Sequence, residues 1–286
     1  MPSLIDIRRR IRSVKNTQQI TKAMKMVSAA KLRRAQDRVI AARPYATLLR
    51  NVLANVAAAA AADPDAGDNP LLAERPPQKI LLVLITGDKG LAGAFNSNLI
   101  KGAQSFIAEH ANNTVTLELV GRKGRDFFRK RAARSISGDY INLANKPSYD
   151  QVSPIARKAM ELYSKAEIDA VYLLYNEFKS VVSQKLTLTR VLPVEVPEQT
   201  TTADYIFEQP AGEILGALLP RYVETTFFRA LLESVAAEHA ARMTAMEAAT
   251  SNAAEMIDKL TLYMNRVRQA SITKEIIEVV SGAAAE

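Results

Sequence analysis

The sequence predicts a central α/β domain, an open and mostly parallel sheet of about five strands, carried between two long helical arms that pair as an antiparallel two-helix coiled coil. Three observations predict it: where Pro and Gly fall, how apolar residues are spaced near the two ends, and how strand-like and helix-like runs alternate between them. Pro removes a helix donor and Gly costs helix entropy, so their distribution maps domains. No Pro lies between Pro2 and Pro44 and none follows Pro220, while 10 of the 11 Gly fall between Gly67 and Gly216. The implied division is a first arm over 1–62, a central domain with its linkers over 63–210, and a last arm over 211–286.

In the first arm Leu4, Ile7, Ile11 and Val14 follow a 3,4 spacing. Ile20, Met24 and Val27 resume it after the polar Thr17-Gln18-Gln19, and Leu32, Ala35 and Val39 extend it. This predicts a helical seam with a break in phase. The helix is expected to run past Pro44 into Leu48, Val52 and the alanine run, stopping at Asp63-Pro64.

The middle alternates. Lys79 to Thr86 reads as a fully buried strand, Leu91 to Ala108 as a helix, Val115 to Val120 as a strand and Lys123 to Ala132 as a helix. Gln151 to Ala166 is helical, Ala170 to Tyr175 is a buried strand, and Val181 to Val194 alternates as a hairpin mate would. Strands alternating with helices imply a Rossmann-like, open parallel sheet.

In the last arm Phe227, Phe228, Leu231, Leu232 and Val235 open an apolar face. Met243 and Met246 continue it, and Ala253, Met256, Leu260, Met264 and Val267 close it. Exposing such a stripe forfeits roughly 25 cal/mol per Å², so a helix of this length needs a partner. The economical partner is the other arm, already tethered, and entry and exit at one central domain make the pair antiparallel. Charge agrees: residues 1–50 hold 13 basic and 2 acidic residues, whereas Arg221 to Glu286 holds 7 basic and 9 acidic.

Composition excludes several classes of activity. The 286 residues are 48% hydrophobic, enough for a real core, and contain no Cys, so no disulfide, thiolate nucleophile or Cys-based zinc site can exist. The opening MPSLIDIRRRIR has no apolar stretch after its charges, and no run of roughly 18 apolar residues occurs that could span a bilayer. Membrane association is therefore expected only through partners. The net charge of +8 raises nucleic acid as a partner. Yet no Trp is present, no aromatic residue precedes Tyr45, and the cations are interleaved with seam residues. An acidic protein surface around Lys25, Arg33, Arg34 and their neighbours fits this arm better than DNA does.

Thr86-Gly87-Asp88-Lys89-Gly90-Leu91-Ala92-Gly93 follows the first strand and opens a helix, where doubly wound folds hold phosphates. Its G-x-x-G-x-x-G spacing matches neither G-x-G-x-x-G nor G-x-x-x-x-G-K-[ST], so a tight turn with close helix packing is the better reading. His110 and His239 lack companions at ligand spacing, and Asp65 and Asp68 stand in a polar linker. No catalytic, metal-binding or cofactor-binding residue can be named. The remaining alternatives are a basic coiled-coil nucleic-acid-binding protein and a nucleotide-binding α/β enzyme.

Three separated blocks carry a resemblance to a known family. Ile7 to Gln36 (IRRRIRSVKNTQQITKAMKMVSAAKLRRAQ), Thr86 to Asn96 (TGDKGLAGAFN) and Glu233 to Ala285, opening ESVAAEHAARMTAMEAATSNAAEMIDKL, resemble the gamma subunits of the F-type, proton-translocating ATP synthases. The absence of a Cys-containing insert and of a transit peptide resembles the bacterial members. The resemblance implies a non-catalytic rotor shaft, one per complex, inside a hexamer of alpha and beta subunits. It also implies a foot that meets epsilon and the membrane ring of c subunits at the cytoplasmic face of the inner membrane. By motif, Met24 and Lys25 resemble shaft positions facing beta, although Met24 fits the seam equally as a core knob. Arg242, Gln269, Thr273 and Glu275 resemble upper-shaft contacts with the hexamer, and Tyr205 and Glu208 resemble the part of the foot near the ring and epsilon. Glu286 departs from the small apolar close expected after SGAAA.

Overall fold

A computed structural model describes residues 3–62, 69–196 and 208–283. These residues form α1 (Leu4–Ala62), β1 (Lys79–Ile85), α2 (Phe95–Glu109), β2 (Thr114–Val120), α3 (Arg122–Arg129), β3 (Ile136–Tyr140), α4 (Tyr149–Ser164), β4 (Ala170–Phe178), β5 (Gln184–Leu192) and α5 (Ala211–Ala283). Contacts divide the chain into two compact units, one of Met1–Ala29 with Arg242–Glu286 and one of Ala30–Ala241.

In the larger unit the sheet order is β3-β2-β1-β4-β5. β1 pairs in parallel with both β2 and β4, β2 with β3, and β5 returns antiparallel beside β4. β1 is buried along both faces, which is why KILLVLI is continuously apolar instead of alternating. Ile80, Leu82 and Leu84 point into a core with Phe95, Leu99, Ala103 and Phe106 of α2. Val83 and Ile85 point the other way, toward Val152 and Ile155 of α4 and Phe227 and Leu231 of α5.

β3 has no counterpart among the strands expected from sequence. Its five residues, ISGDY, carry one strongly apolar side chain, and a register shift opposite Leu117 and Glu118 interrupts the ladder. A buried ion pair compensates for the weak local signal. Glu118, 1% exposed, meets Lys158 Nζ of α4 at 2.5 Å, and Lys158 also donates to the Ser137 carbonyl at 3.2 Å. α2 begins four residues later than expected because Leu91 (φ 61°) and Gly93 (φ 56°) are left-handed and hold the preceding segment in a turn.

The seam of α1 differs from the expected one. Positions 7, 11, 14, 18, 21, 25 and 28 in the smaller unit, and 32, 35, 39, 42, 46, 49, 53, 56 and 60 in the larger one, are buried or half-buried at unbroken 3,4 spacing. There is no break in phase. Thr21 and Ser28 are 8% and 3% exposed, whereas Ile20 and Val27 are 60% and 56% exposed. Hydrophobicity pointed one residue away from the seam at both places. The same shift applies at Leu48, which is exposed beside buried Leu49. In α5 Met256 is exposed, and the half-buried Ile257 holds the seam in its place.

The pairing is antiparallel. In the smaller unit Thr21 Oγ1 lies 2.8 Å from Thr250 Oγ1, and Lys25 pairs with Glu247. Advancing four residues on α1 retreats three on α5. Arg50 and Tyr222, within electrostatic range of each other in the larger unit, keep the same register. This register exhausts α1 at Leu4, so the last turns of α5 have no α1 residue opposite them. Ile272, Ile276, Ile277, Val279 and Val280 are accordingly exposed.

α5 is also tied to α4. The Glu224 carboxylate, 3% exposed, accepts from Ser153 Oγ at 2.9 Å, Arg157 Nε at 2.6 Å and the Tyr149 hydroxyl. Burial alone would raise its pKa, but the donors Tyr149, Arg157 and Ser153 together outweigh burial and hold it below the usual 4.5. A depressed folded pKa contributes stability that is complete above the unfolded value and is lost as pH falls through the folded one. Glu224→Gln should therefore cost about 1–3 kcal/mol at neutral pH and flatten the acid side of the stability profile. Urea unfolding of both forms from neutral pH into the acid range checks this, and parallel acid limbs would refute it.

Candidate functional site

In an open α/β sheet, ligands bind outside the carboxyl ends of the strands where the strand order reverses. Here that point lies between β1 and β4, beyond Ile85 and Leu174, and the loop Thr86 to Gly93 stands at it. The loop is built as a turn. Gly87 N–H donates to Asn96 Oδ1 at 2.9 Å, and Asn96 Nδ2 donates back to the Lys89 carbonyl at 3.3 Å.

The neighbouring helix start, α3, has no amide left for a phosphate. Arg122 N–H donates to Asp88 Oδ1 at 3.0 Å, Lys123 N–H to the Gly87 carbonyl at 3.1 Å and Gly124 N–H to Thr86 Oγ1 at 2.9 Å. Arg125 N–H closes the first helical turn onto the Gly121 carbonyl at 3.3 Å. A helix N-terminus attracts anions through such free amides, and here Thr86, Gly87 and Asp88 consume them.

The crevice itself is filled by α5. Ser234 Oγ lies 3.5 Å from the Ile85 carbonyl, and a Cβ on Gly87 would stand 2.8 Å from the Glu238 carboxylate carbon. Ala236, Ala237 and Ala240 are fully buried, and Ala237 joins the core beside Leu82, Leu84 and Leu99. Their small side chains let α5 cross the sheet edge at close range. Beside them Glu233, 4% exposed, pairs with Arg229 Nε at 2.8 Å. Burial, with the Glu233 carboxylate nearby, pushes the Tyr175 hydroxyl of β4 up to about 12.

The residues singled out from the sequence are spread along the helices and not gathered in this crevice. Met24 and Lys25 are half-buried, and Lys25 is engaged by Glu247 of the same chain. Arg33 and Arg34 are exposed, whereas Arg242 is only 8% exposed. Gln269, Thr273 and Glu275 are exposed, and the Thr273 hydroxyl donates to the Gln269 carbonyl at 2.9 Å. Glu208 is exposed ahead of α5; Tyr205, Asp65 and Asp68 lie outside the described residues. His110 stacks on Phe106 at 4.2 Å, with Nδ1 2.9 Å from the Phe106 carbonyl. Among the described residues no group of three or more His, Asp or Glu is placed to hold a metal ion.

Sequence reading missed two features. Glu238 looks like an ordinary acidic residue of an arm, and nothing local in the sequence signals that it meets Gly87. A second basic stretch was also hidden, because the sum over residues 51–286 is negative. Residues 122–134 hold seven basic residues against one acidic, and of these Arg125 and Arg129 meet Asp139.

Fold and crevice together define the class: a doubly wound domain whose ligand crevice is occupied by one of its own two coiled-coil helices. A family model described as ATP synthase matches residues 3–285. The chain is 74% identical to the ATP synthase gamma chain of Solibacter usitatus, over 100% of this chain and 99% of that one. It is 54% identical to the ATP synthase gamma chain of Desulfitobacterium hafniense, with the same coverage. The chain belongs to the ATP synthase gamma-chain family. A chain of the Tetrahymena thermophila mitochondrial ATP synthase central stalk and c-ring aligns with TM-score 0.63 and 27% identity, over 80% of this chain and 99% of that one. The Euglena gracilis mitochondrial ATP synthase supplies a likeness of fold, with TM-score 0.68 at 21% identity over 99% of this chain and 94% of that one.

Gly121 and Gly90 differ in how closely the turn and its surroundings are packed on them. Its φ is 97°, and a Cβ there would be driven into the Thr86 carbonyl. Gly121→Ala should cost at least about 2 kcal/mol. At Gly90 the nearest atom to an added Cβ is Lys123 Cε at 3.8 Å, so Gly90→Ala should stay within about 0.5 kcal/mol of the parent. Thermal unfolding of both variants decides, and equal effects would contradict the turn geometry.

Proposed function

We propose that this chain is the central rotor shaft of an ATP synthase. Turning with a membrane ring of c subunits, it would impose asymmetry on catalytic sites carried by an alpha/beta hexamer. The observation that carries this reading is the pairing of α1 and α5 in one antiparallel register, in a chain whose family match runs from residue 3 to residue 285. A doubly wound sheet with its ligand crevice filled by α5 supports a non-catalytic role: the chain contributes torque and shape.

In this reading the apolar end of α5, with Ile272, Ile276, Ile277, Val279 and Val280, is covered by the hexamer, since the described residues of this chain leave it exposed. Met24, Lys25, Arg33, Arg34, Gln269, Thr273 and Glu275 face alpha and beta, Arg242, mostly buried, meets them only by its exposed edge, and Tyr205 and Glu208 face epsilon and the ring. Both arms, 1–62 and 211–286, then act as one element on the central domain. The complex is placed at the cytoplasmic face of a bacterial inner membrane, one copy of this chain in each. No helix among the described residues is long and apolar enough to cross a membrane, so attachment is assigned to the ring.

The purified chain should bind no ATP at micromolar concentration by calorimetry. Mixed with alpha and beta subunits, it should assemble into a complex that hydrolyses ATP. Replacing Lys25, Arg33 and Arg34 together by Gln should weaken assembly or coupling, with roughly 0.2–1 kcal/mol per exposed pair. Micromolar ATP binding that is lost on Lys89→Ala would move the function into the Thr86 to Gly93 loop and overturn the reading.

A further inference from the structure

The rotor reading leaves open how the sheet holds the helix that it must turn. α5 is 73 residues long, and only its portion up to Ala241 belongs to the unit that contains the sheet. Three buried carboxylates mark that portion: Glu224, Glu233 and Glu238. Glu224 is held by α4, and Glu233 by Arg229 of α5 itself. Glu238 differs from both, because it is set against the turn that follows the central strand.

The space around it is closely matched. A Cβ on Gly87 would lie 2.8 Å from its carboxylate carbon and 2.9 and 3.1 Å from its two oxygens. The side chain is 6% exposed, one turn beyond Ser234, which reaches the Ile85 carbonyl. The turn it enters stands where doubly wound folds hold an anionic ligand, and with the nearby amides already engaged the carboxylate fills that place by close packing on Gly87. Glu238 is also the last buried carboxylate of α5 before the boundary at Arg242.

We propose that Glu238 is a positioning residue for rotation: an internal anion that occupies the vacated ligand turn of the sheet and clamps α5 to β1, so that torque on the sheet reaches α5 there. The proposal rests on the rotor reading. It assigns Gly87 a purpose that spacing alone did not, which is to leave room for that carboxylate. Ala236, Ala237 and Ala240 serve the same clamp by allowing the close crossing.

Two measurements test it. In amide hydrogen exchange of the full chain, Glu238→Ala and Gly87→Ala should each raise exchange in residues 230–241 by about tenfold, as expected for loss of a close, buried contact. The double variant should be no worse than the worse single one, because removing the carboxylate removes the collision. Glu238→Gln keeps an acceptor oxygen in the turn and should stay within about twofold of the parent. Additive effects in the double variant, or unchanged exchange in Glu238→Ala, would overturn the clamp.

In the assembled complex in vesicles, Glu238→Ala should lower protons pumped per ATP hydrolysed while Glu238→Gln restores the ratio, a split that lowered stability or yield alone would not produce. An unchanged ratio in Glu238→Ala would overturn the torque role and leave the rotor reading standing. That reading fails instead if the parent complex does not pump.

Discussion

A helix of 59 residues with one apolar stripe needs a partner along its length, and a partner helix can follow it only if the phase of the stripe is kept. α1 keeps it. Its seam runs at 3,4 spacing from Ile7 to Ala60, and it does so by accepting Gln18, Thr21 and Ser28 at seam positions instead of shifting phase to reach Ile20 and Val27. A polar residue in a seam costs stability but specifies register. The Thr21 and Thr250 hydroxyls show how the cost is limited. Each can also reach a carbonyl of its own helix, Gln18 at 3.0 Å and Met246 at 2.7 Å, so two protons are shared among three acceptor contacts. Ile20 and Val27 are thereby left on the outer surface, where a surrounding partner can use them.

The sheet depends on the same helices. β1 is buried on both faces, and α5 covers one face with Phe227 and Leu231 before it crosses the strand's carboxyl edge near Ser234 and Glu238. That crossing explains why a doubly wound domain here does not present the crevice on which such folds bind nucleotides. The amides of the α3 N-terminus are taken by Thr86, Gly87 and Asp88, and the space above the turn is taken by a carboxylate. The proposed rotor role, in which the chemistry belongs to partner subunits, is the functional counterpart of a fold that fills its own site.

How much was legible in the sequence follows from the range of each interaction. The arms were readable because 3,4 spacing and the exclusion of Pro and Gly persist over tens of residues, and Lys79 to Ile85 because a doubly buried strand is apolar throughout. β3 was not, since its five residues are held by pairing with β2 and by Lys158 of α4, which meets Glu118 and donates to Ser137, and not by their own pattern. The exact seam was not, because near Ile20 and Val27 the more hydrophobic neighbour is the wrong one. The turn at Gly87 was recognised as structural, but its occupant lies about 150 residues away on an element that looks uniform in sequence. Arg33 and Arg34 were assigned to partner contact from charge and the other contact residues from resemblance, and Lys25, which had both, illustrates the limit of charge counting, since Glu247 of the same chain already engages it.

The central claim is that α1 and α5 turn as one element. Its most direct test is a disulfide between Cys residues placed at Thr21 and Thr250, whose hydroxyls lie 2.8 Å apart in a chain with no Cys of its own. In the assembled complex, oxidation should close this bond and leave both ATP turnover and proton pumping at the level of the reduced form. A loss of both on oxidation, reversed by a reductant, would show that the helices must move against each other and would contradict the account.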